Sequence, residues 1–327
     1  MRLTNITRRT LLAAAATLVA GSAWAQAPWP SKPITLIVPF PPGGPTDVVS
    51  RIVGKELADR LGQPVIVENK AGASGSIAAQ QVKRAAPDGH TLMMLATPTL
   101  FAPLFFRNAG YEVTKDFTPI SMVYDLPIAM VVNPEKLPGV TTLPQLIETA
   151  RAKKGELNYT TSGAGSFGHM SMELLKEMGQ FDMQPGAYRG GVPAITDTIG
   201  GPLHIRYADL VAALPHIKSG KLVAIAVGSP ERVSVIPEVK TIAEQGIDGF
   251  SAVSLGALLG PKGMDPAVVE RLNQEVQDIL AQPDVQQRIL GAGAIAKFMP
   301  AAELQRSLEA DYTKWSKVVK DKGMVAE

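Results

Sequence analysis

Cysteine is absent from the 327-residue chain. Its absence excludes disulfides, thiolate metal sites, cysteine nucleophiles and a lipid-modified cysteine anchor. Histidine is scarce: His90, His169, His204 and His216 are the only four. None stands at metal-ligand spacing from another or from an acid, so no metal site is expected, and a lone histidine is more often structural. Neither sign of charge is in excess. Lys and Arg number 32 against 30 for Asp and Glu, a formal +2. A nucleic-acid binder carries a marked basic surplus, so that class is excluded. Beyond the N-terminus no run has the ~20 apolar residues of a membrane helix. Two enzyme signatures are missing as well. No glycine loop ends in Gly-Lys-Ser/Thr, so there is no P-loop. Ser166 has Ala164 two places before it, where a hydrolase nucleophile elbow has glycine.

What is present begins with an export signal. Arg2, Arg8 and Arg9 make a basic start, Leu11 to Ala20 is a short apolar run, and Ala23-Trp24-Ala25 is a small-x-small cleavage site. Cleavage is expected near Ala25-Gln26. Arg8-Arg9-Thr10-Leu11-Leu12 is a partial twin-arginine match, and general secretion fits equally. Without the first 25 residues, 302 of the 327 remain, with a formal charge of −1 once the three arginines are gone. A chain of that length usually divides into two domains. Apolar residues at 46% and charged residues at 19% fit a compact globular protein held by its core.

Strands alternate with amphipathic helices almost throughout. A strand over Ile34–Phe40 leads to a helix over Thr46–Leu61 with Val48, Val49, Ile52, Val53 and Leu57 on one face. Val65–Val67 and Thr91–Leu95 are further strands, with a helix over Ile77–Arg84 between them. This order predicts a mainly parallel sheet covered by helices. A second block has strands at Leu157–Thr161, Ile128–Val132, Ile205–Ala208 and Val223–Val227. Its helices fall at Leu143–Ala152, His169–Met178, Val192–Ile199 and Val211–Lys218. Terminal helices are expected at Pro266–Ala281 and Ala301–Lys320. The reading is two α/β lobes, with chain crossings near Ser121–Pro127 and Gly249–Leu259. Trp315 and Tyr312, at helical spacing from Leu308, are expected to pack the last helix onto its lobe.

Two glycine loops stand out. The first is Phe40-Pro41-Pro42-Gly43-Gly44-Pro45-Thr46-Asp47, between a strand and a helix. Glycines permit a tight turn, and the first amides of a helix lack internal partners, so such a loop can hold an anion by its backbone. The second is Ser162-Gly163-Ala164-Gly165-Ser166-Phe167-Gly168-His169, again after a strand. Gly163, Gly165 and Gly168 satisfy G-x-G-x-x-G, which leaves three readings: a plain turn, a dinucleotide loop, or a second anion loop with hydroxyls from Ser162 and Ser166. A dinucleotide loop belongs on the first strand of its domain and needs an acid at the end of the next. Only Asp182, early in the weak segment Phe181–Gln184, is in range. His169 opens the following helix. Arg206 either reaches the cleft to pair with a carboxylate or faces outward. The same choice applies to Arg189 in Tyr188-Arg189-Gly190-Gly191.

Taken together, these residues resemble the solute receptors of tripartite tricarboxylate transporters, the TctC-like or Bug proteins. The likeness rests on Lys32-Pro33-Ile34 leading into Val38–Gly44 with Asp47, then Gly62-Gln63-Pro64-Val65, Val67-Glu68-Asn69 and Gly72-Ala73. It continues through Ala86–Gly89, Asp116-Phe117-Thr118-Pro119, Ser162-Gly163 with Gly165-Ser166 and His169, Tyr188 with Gly190, Gly200-Gly201 and Leu214–Gly220. It spans about Trp29 to the C-terminal helices.

The resemblance implies a type II periplasmic-binding-protein (Venus flytrap) architecture, two α/β lobes joined by two crossing strands. Residues 26–124 plus 251–327 would form one lobe and 125–250 the other. It implies a periplasmic receptor, monomeric, without cofactor or catalysis, that captures a small organic acid for membrane transporter subunits encoded by other genes. The implied ligand set is Phe40, Pro42, Gly43, Gly44, Thr46, Asp47, Thr97, Ser162, Gly163, Ala164, Gly165, Ser166, His169, Tyr188, Arg189, Arg206 and Asp209. Departures from the family pattern fall at Ser254-Leu255-Gly256, Tyr207-Ala208 and Tyr188-Arg189-Gly190. Arg189 and Arg206 are candidates for a second carboxylate. The alternatives are an exported dinucleotide-dependent oxidoreductase and a ligand sensor for a membrane kinase.

Overall fold

The computed structural model describes residues 29–153, 155–161, 166–188 and 191–323. The export signal lies outside them. The first block comprises β1 (Ile34–Val38), α1 (Pro45–Leu61), β2 (Val65–Asn69), α2 (Ser76–Lys83), β3 (Thr91–Ala96), α3 (Thr97–Phe105), α4 (Val113–Asp116) and β4 (Phe117–Leu126). The second comprises β5 (Ile128–Val132), α5 (Leu143–Ala152), β6 (Asn158–Thr161), α6 (Phe167–Gly179), β7 (Gln184–Ala187), α7 (Gly191–Gly200), β8 (Ile205–Asp209), α8 (Leu210–Lys218) and β9 (Val223–Val227). The chain then returns through β10 (Ser254–Pro261), α9 (Pro266–Leu280), α10 (Pro283–Gly291), β11 (Ile295–Pro300) and α11 (Ala301–Asp321).

Local sequence explains the element ends. Pro45 starts α1, where its missing N–H costs nothing, and Gly62 stops it in the left-handed region at φ 68°. Thr142 and Gln145 form a reciprocal capping box on α5. The oxygen of Asp265 accepts from the Ala267 amide to open α9.

The strands make two sheets, in the orders β11-β4-β10-β3-β1-β2 and β7-β6-β8-β5-β9. Within them β2, β1 and β3 are parallel, as are β7, β6 and β8. The mainly parallel expectation needs correcting: β10, β4 and β11 join the first sheet antiparallel, and β5 and β9 join the second antiparallel. The reason is the crossover. β4 runs through Pro127 directly into β5, so the chain enters the second sheet without a helix to turn it parallel. β10 brings the chain back and pairs with β4 over Ser254–Pro261.

The core is continuous across the two sheets. One apolar cluster contains Ile37 and Met93 of the first sheet and Met130 and Tyr159 of the second. Trp315 on α11 is 1% exposed and lies in it. Its ring meets Phe101 of α3 at 6.0 Å and Phe167 of α6 at 5.3 Å, and Phe101 stacks on Phe167 at 6.3 Å. The last helix thus packs onto its own sheet's α3 and also onto the first residue of α6, on the other sheet. Lys322 adds an ion pair with Glu177 of α6 at 3.3 Å.

Candidate functional site

In both sheets the parallel strands end at the edge where the two glycine loops begin. β1 stops at Val38, and Gly43 then adopts φ +95°, which a side chain would strain. The buried carboxylate of Asp47 ties this loop to the helix it opens. It accepts from the Gly43 amide at 2.9 Å, the Asn69 side-chain amide at 2.8 Å, and Arg51 at 2.9 and 3.2 Å. Asn69 also donates to the Phe40 carbonyl at 2.9 Å. Burial pushes the Asp47 pKa up, but the bonds from Arg51, Gly43 and Asn69 together outweigh it and leave it lowered.

Asp47 therefore holds the loop from within, and the Gly43 amide is occupied. The amides of Gly44, Thr46 and Asp47 have no protein partner among the described residues. A Cβ placed on Gly43 or Gly44 would meet nothing within 4 Å. Beside them Pro42 is exposed and Phe40 half-buried.

Two threonines of the expected ligand set bond to the crossing strands. The Tyr124 hydroxyl, fully buried on β4, donates to Thr46 Oγ1 at 2.8 Å. Gly256 pairs with Tyr124 across the sheet, and a Cβ there would collide with its ring. Thr97, at the start of α3, accepts from the Leu255 amide at 2.7 Å and is itself buried. The departure at Ser254-Leu255-Gly256 thus lies on the return strand, where Leu255 is fastened to Thr97 and Gly256 lies against the tyrosine that holds Thr46.

On the second sheet, Ser162, Gly163, Ala164, Gly165 and Arg189 lie outside the described residues. Ser166 is the N-cap of α6, its hydroxyl accepting from the His169 amide at 3.4 Å. Gly168 presses on β8: a Cβ would stand 3.0 Å from the Tyr207 carbonyl. Its place in the glycine pattern is thus explained by close helix–strand packing. His169 is half-buried, and burial lowers its pKa. The backbone N–H of Tyr188 extends the β6 pairing through the Thr161 carbonyl at 3.0 Å. Its hydroxyl bonds Asp197, which pushes its pKa up to about 12.

Asp182 precedes β7 and pairs with Lys176 at 3.2 Å. It is not at the end of the strand, where a dinucleotide ribose would need it. Arg206 points into the sheet's interior and is 3% exposed, so it is not a solvated arginine. Its guanidinium lies 3.4 Å from the Thr160 hydroxyl, which in turn meets Thr198 of α7 at 2.9 Å. Asp209 ends β8, and its side chain is exposed. Among the described residues no group of three or more acids and histidines could hold a metal.

A cavity of about 250 Å³ lined by Lys136, Lys153 and His204 opens elsewhere, at the beginning of β6 and β8. That is the opposite edge from the loops, so it is not part of this site.

Tyr124, Asn69, Arg51 and Gly256 were not among the expected site residues. Arg51 was readable, since it follows Asp47 by one helical turn. Tyr124 lies 78 positions from Thr46, and nothing local connects them.

The TctC family, described as the tripartite tricarboxylate transporter family receptor, matches residues 49–324. The chain belongs to this family. Protein BugT of Bordetella pertussis is 35% identical to this TctC-family chain over 299 residues, 90% of each sequence. Rpa4515 of R. palustris, solved with adipate, is 31% identical at a TM-score of 0.75, covering 91% of this chain and all of that one. MatC of Rhodopseudomonas palustris, solved with bound malate, is 31% identical at 0.70, covering 89% of this chain and all of that one. The two-lobed periplasmic-binding-protein fold is thus the fold of this chain. No described helix is long and apolar enough to cross a membrane.

Proposed function

We propose that this chain is a periplasmic receptor that captures a small organic carboxylate between its lobes and passes it unchanged to membrane transporter subunits. One observation carries this reading: at the start of a helix at the edge of the first sheet, the amides of Gly44, Thr46 and Asp47 have no protein partner among the described residues. Helix N-termini stabilise anions through these groups and the helix dipole. The family resemblance assigns the other half of the clamp to Ser162–Ser166 and His169. The relatives solved with adipate and malate support a carboxylate as ligand.

The hinge lies in β4 and β10, with lobes of residues 26–124 plus 251–327 and 125–250. Thr46 and Thr97 are bonded to these two strands, so lobe movement and loop position are linked. Closing the lobes removes the anion from water and strengthens each bond to it. The receptor acts as a monomer, reaches the periplasm by its N-terminal signal, and performs no chemistry.

Calorimetric titration of the mature protein with mono-, di- and tricarboxylates tests this. Saturable heat with at least one class is expected. Silence across a broad acid panel, or a thermal shift with NAD(P) instead, would refute it.

A further inference from the structure

Two extended strands, β4 and β10, carry the chain between the lobes. Two such connections alone would leave the lobes free to move against each other, unless an apolar interface holds them. The last helix supplies one. Trp315 of α11 is 1% exposed, and its ring meets Phe101 of its own lobe and Phe167 of the other. Phe101 also stacks on Phe167, with 13° between the ring planes, so each of the three rings neighbours the other two. Leu174 of α6 and Tyr312 of α11 pack against the same apolar cluster.

The contact runs along both helices. Phe167 meets Trp315, and Glu177, about 15 Å further along α6, meets Lys322, about 10 Å further along α11. The order is the same in each, so the end of α11 lies alongside α6 in the same sense. Lys322 and Glu177 are 30% and 43% exposed, so water screens that pair and the rings carry the attachment. A third tie holds α11 to the returning chain. Lys314 donates to the Ser251 carbonyl at 3.0 Å and lies over the Trp315 ring at 5.1 Å.

These rings stand directly behind two helix starts. Phe101 is one turn after Thr97, the first residue of α3. Phe167 follows Ser166, the N-cap of α6. Fixing Phe101 against Phe167 therefore fixes one helix start against the other, across the lobes. We infer that Phe101, Phe167 and Trp315 are positioning residues: they form an interlobe brace that aligns the two helix starts before a ligand arrives. None of the three has to touch the ligand. Prealignment removes part of the ordering cost of binding. The brace itself depends only on the two-lobed fold, and its effect on affinity rests on the carboxylate reading above.

The lack of cysteine makes the brace measurable, because spin labels can be placed in chosen pairs. Lys55→Cys on α1 and Lys218→Cys on α8, both at exposed positions, put labels on opposite lobes. Lys55→Cys with Lys262→Cys, just beyond β10, keeps both on the first lobe. Pulsed electron spin resonance then reads the distance distributions. The cross-lobe distribution should be as narrow as the within-lobe one. Phe167→Ala, a truncation at a half-buried position, should at least double the cross-lobe width and leave the within-lobe width unchanged. Phe167→Leu, which keeps most of the apolar bulk, should stay near wild type. A cross-lobe distribution already broad in wild type, or unchanged in Phe167→Ala, would overturn the inference. So would equal broadening of both pairs, which marks a weakened fold instead. In calorimetry with adipate and malate, Phe167→Ala should bind whichever acid wild type binds about tenfold more weakly. Equal affinity would overturn the prealignment. If wild type binds neither acid, the carboxylate reading loses support, while the distance measurement still decides the brace.

Discussion

Replacing Asp47 by alanine removes the acceptor for four hydrogen bonds at once. They are not equal. Arg51 is half exposed, with 50% of its side chain in solvent, so water can replace its partner and the pair contributes at most about 1 kcal/mol. The Gly43 and Asn69 donors bond a buried, charged acceptor, where each bond is worth about 1.5–3 kcal/mol at most. Gly43 is itself exposed and recovers part of its loss from water. The net cost is then about 2–3 kcal/mol. At roughly 2–4 °C per kcal/mol, melting should fall by about 5–10 °C.

The same change frees the loop that presents the Gly44, Thr46 and Asp47 amides. Carboxylate affinity should therefore fall about tenfold or more, as pre-organisation is lost. Asp47→Asn retains one acceptor and should recover part of both losses. The pH dependence gives an internal check. The folded pKa of Asp47 is lowered, so its stabilisation is complete above its unfolded value and is lost as pH falls through the folded one. The melting difference between wild type and Asp47→Ala should hold steady from about pH 5 to 8 and shrink below about pH 4. Differential scanning calorimetry across that range measures it. A difference under about 1 °C at neutral pH, or one that grows toward acid, would refute the reasoning.

Two further substitutions probe the hinge. Gly256→Ala drives a methyl group into the Tyr124 ring and should cost about 1–3 kcal/mol by overpacking, with the Tyr124–Thr46 bond displaced. A denaturant midpoint equal to wild type would mean that the ring moves freely. Thr97→Val keeps the side chain's shape but leaves the buried Leu255 amide unmet, a loss of about 1–3 kcal/mol. Urea titration reads it directly, and an unchanged midpoint would show that the bond contributes nothing.

Much of the secondary structure is legible locally because period and punctuation agree. Leu143–Ala152, Ile128–Val132 and Val223–Val227 fall where expected, bounded by their turns. The elements that escape are those without such signals. Thr97–Phe105 is apolar all round and contains Pro103, so it shows no amphipathic face. β11 pairs on the edge of the first sheet with an irregular register, and Ile295–Pro300 shows no clean alternation. Sheet direction was out of reach, because whether a strand joins parallel or antiparallel depends on the path between lobes.

By itself the sequence determined the chemistry available to this protein. It supplies glycines and helix starts at two strand ends, and lacks thiols, clustered histidines and excess charge. It also carried the family and the two-lobed fold, through ordered motifs spread along the chain. Only the tertiary structure decided which of those groups are engaged. Asp47 looked like a ligand contact and is bound within its own loop, because Asn69 and Gly43 converge on it from separate segments. Thr46 and Thr97 belong to the expected ligand set and are also fastened to crossing strands far away in the chain. Asp209 was expected at the ligand and stands as the N-cap of α8, without a capping bond from its side chain. Hydrogen bonds satisfy groups by distance in space, and a buried polar group takes whatever partner folding brings near. That pairing cannot be read from position along the chain.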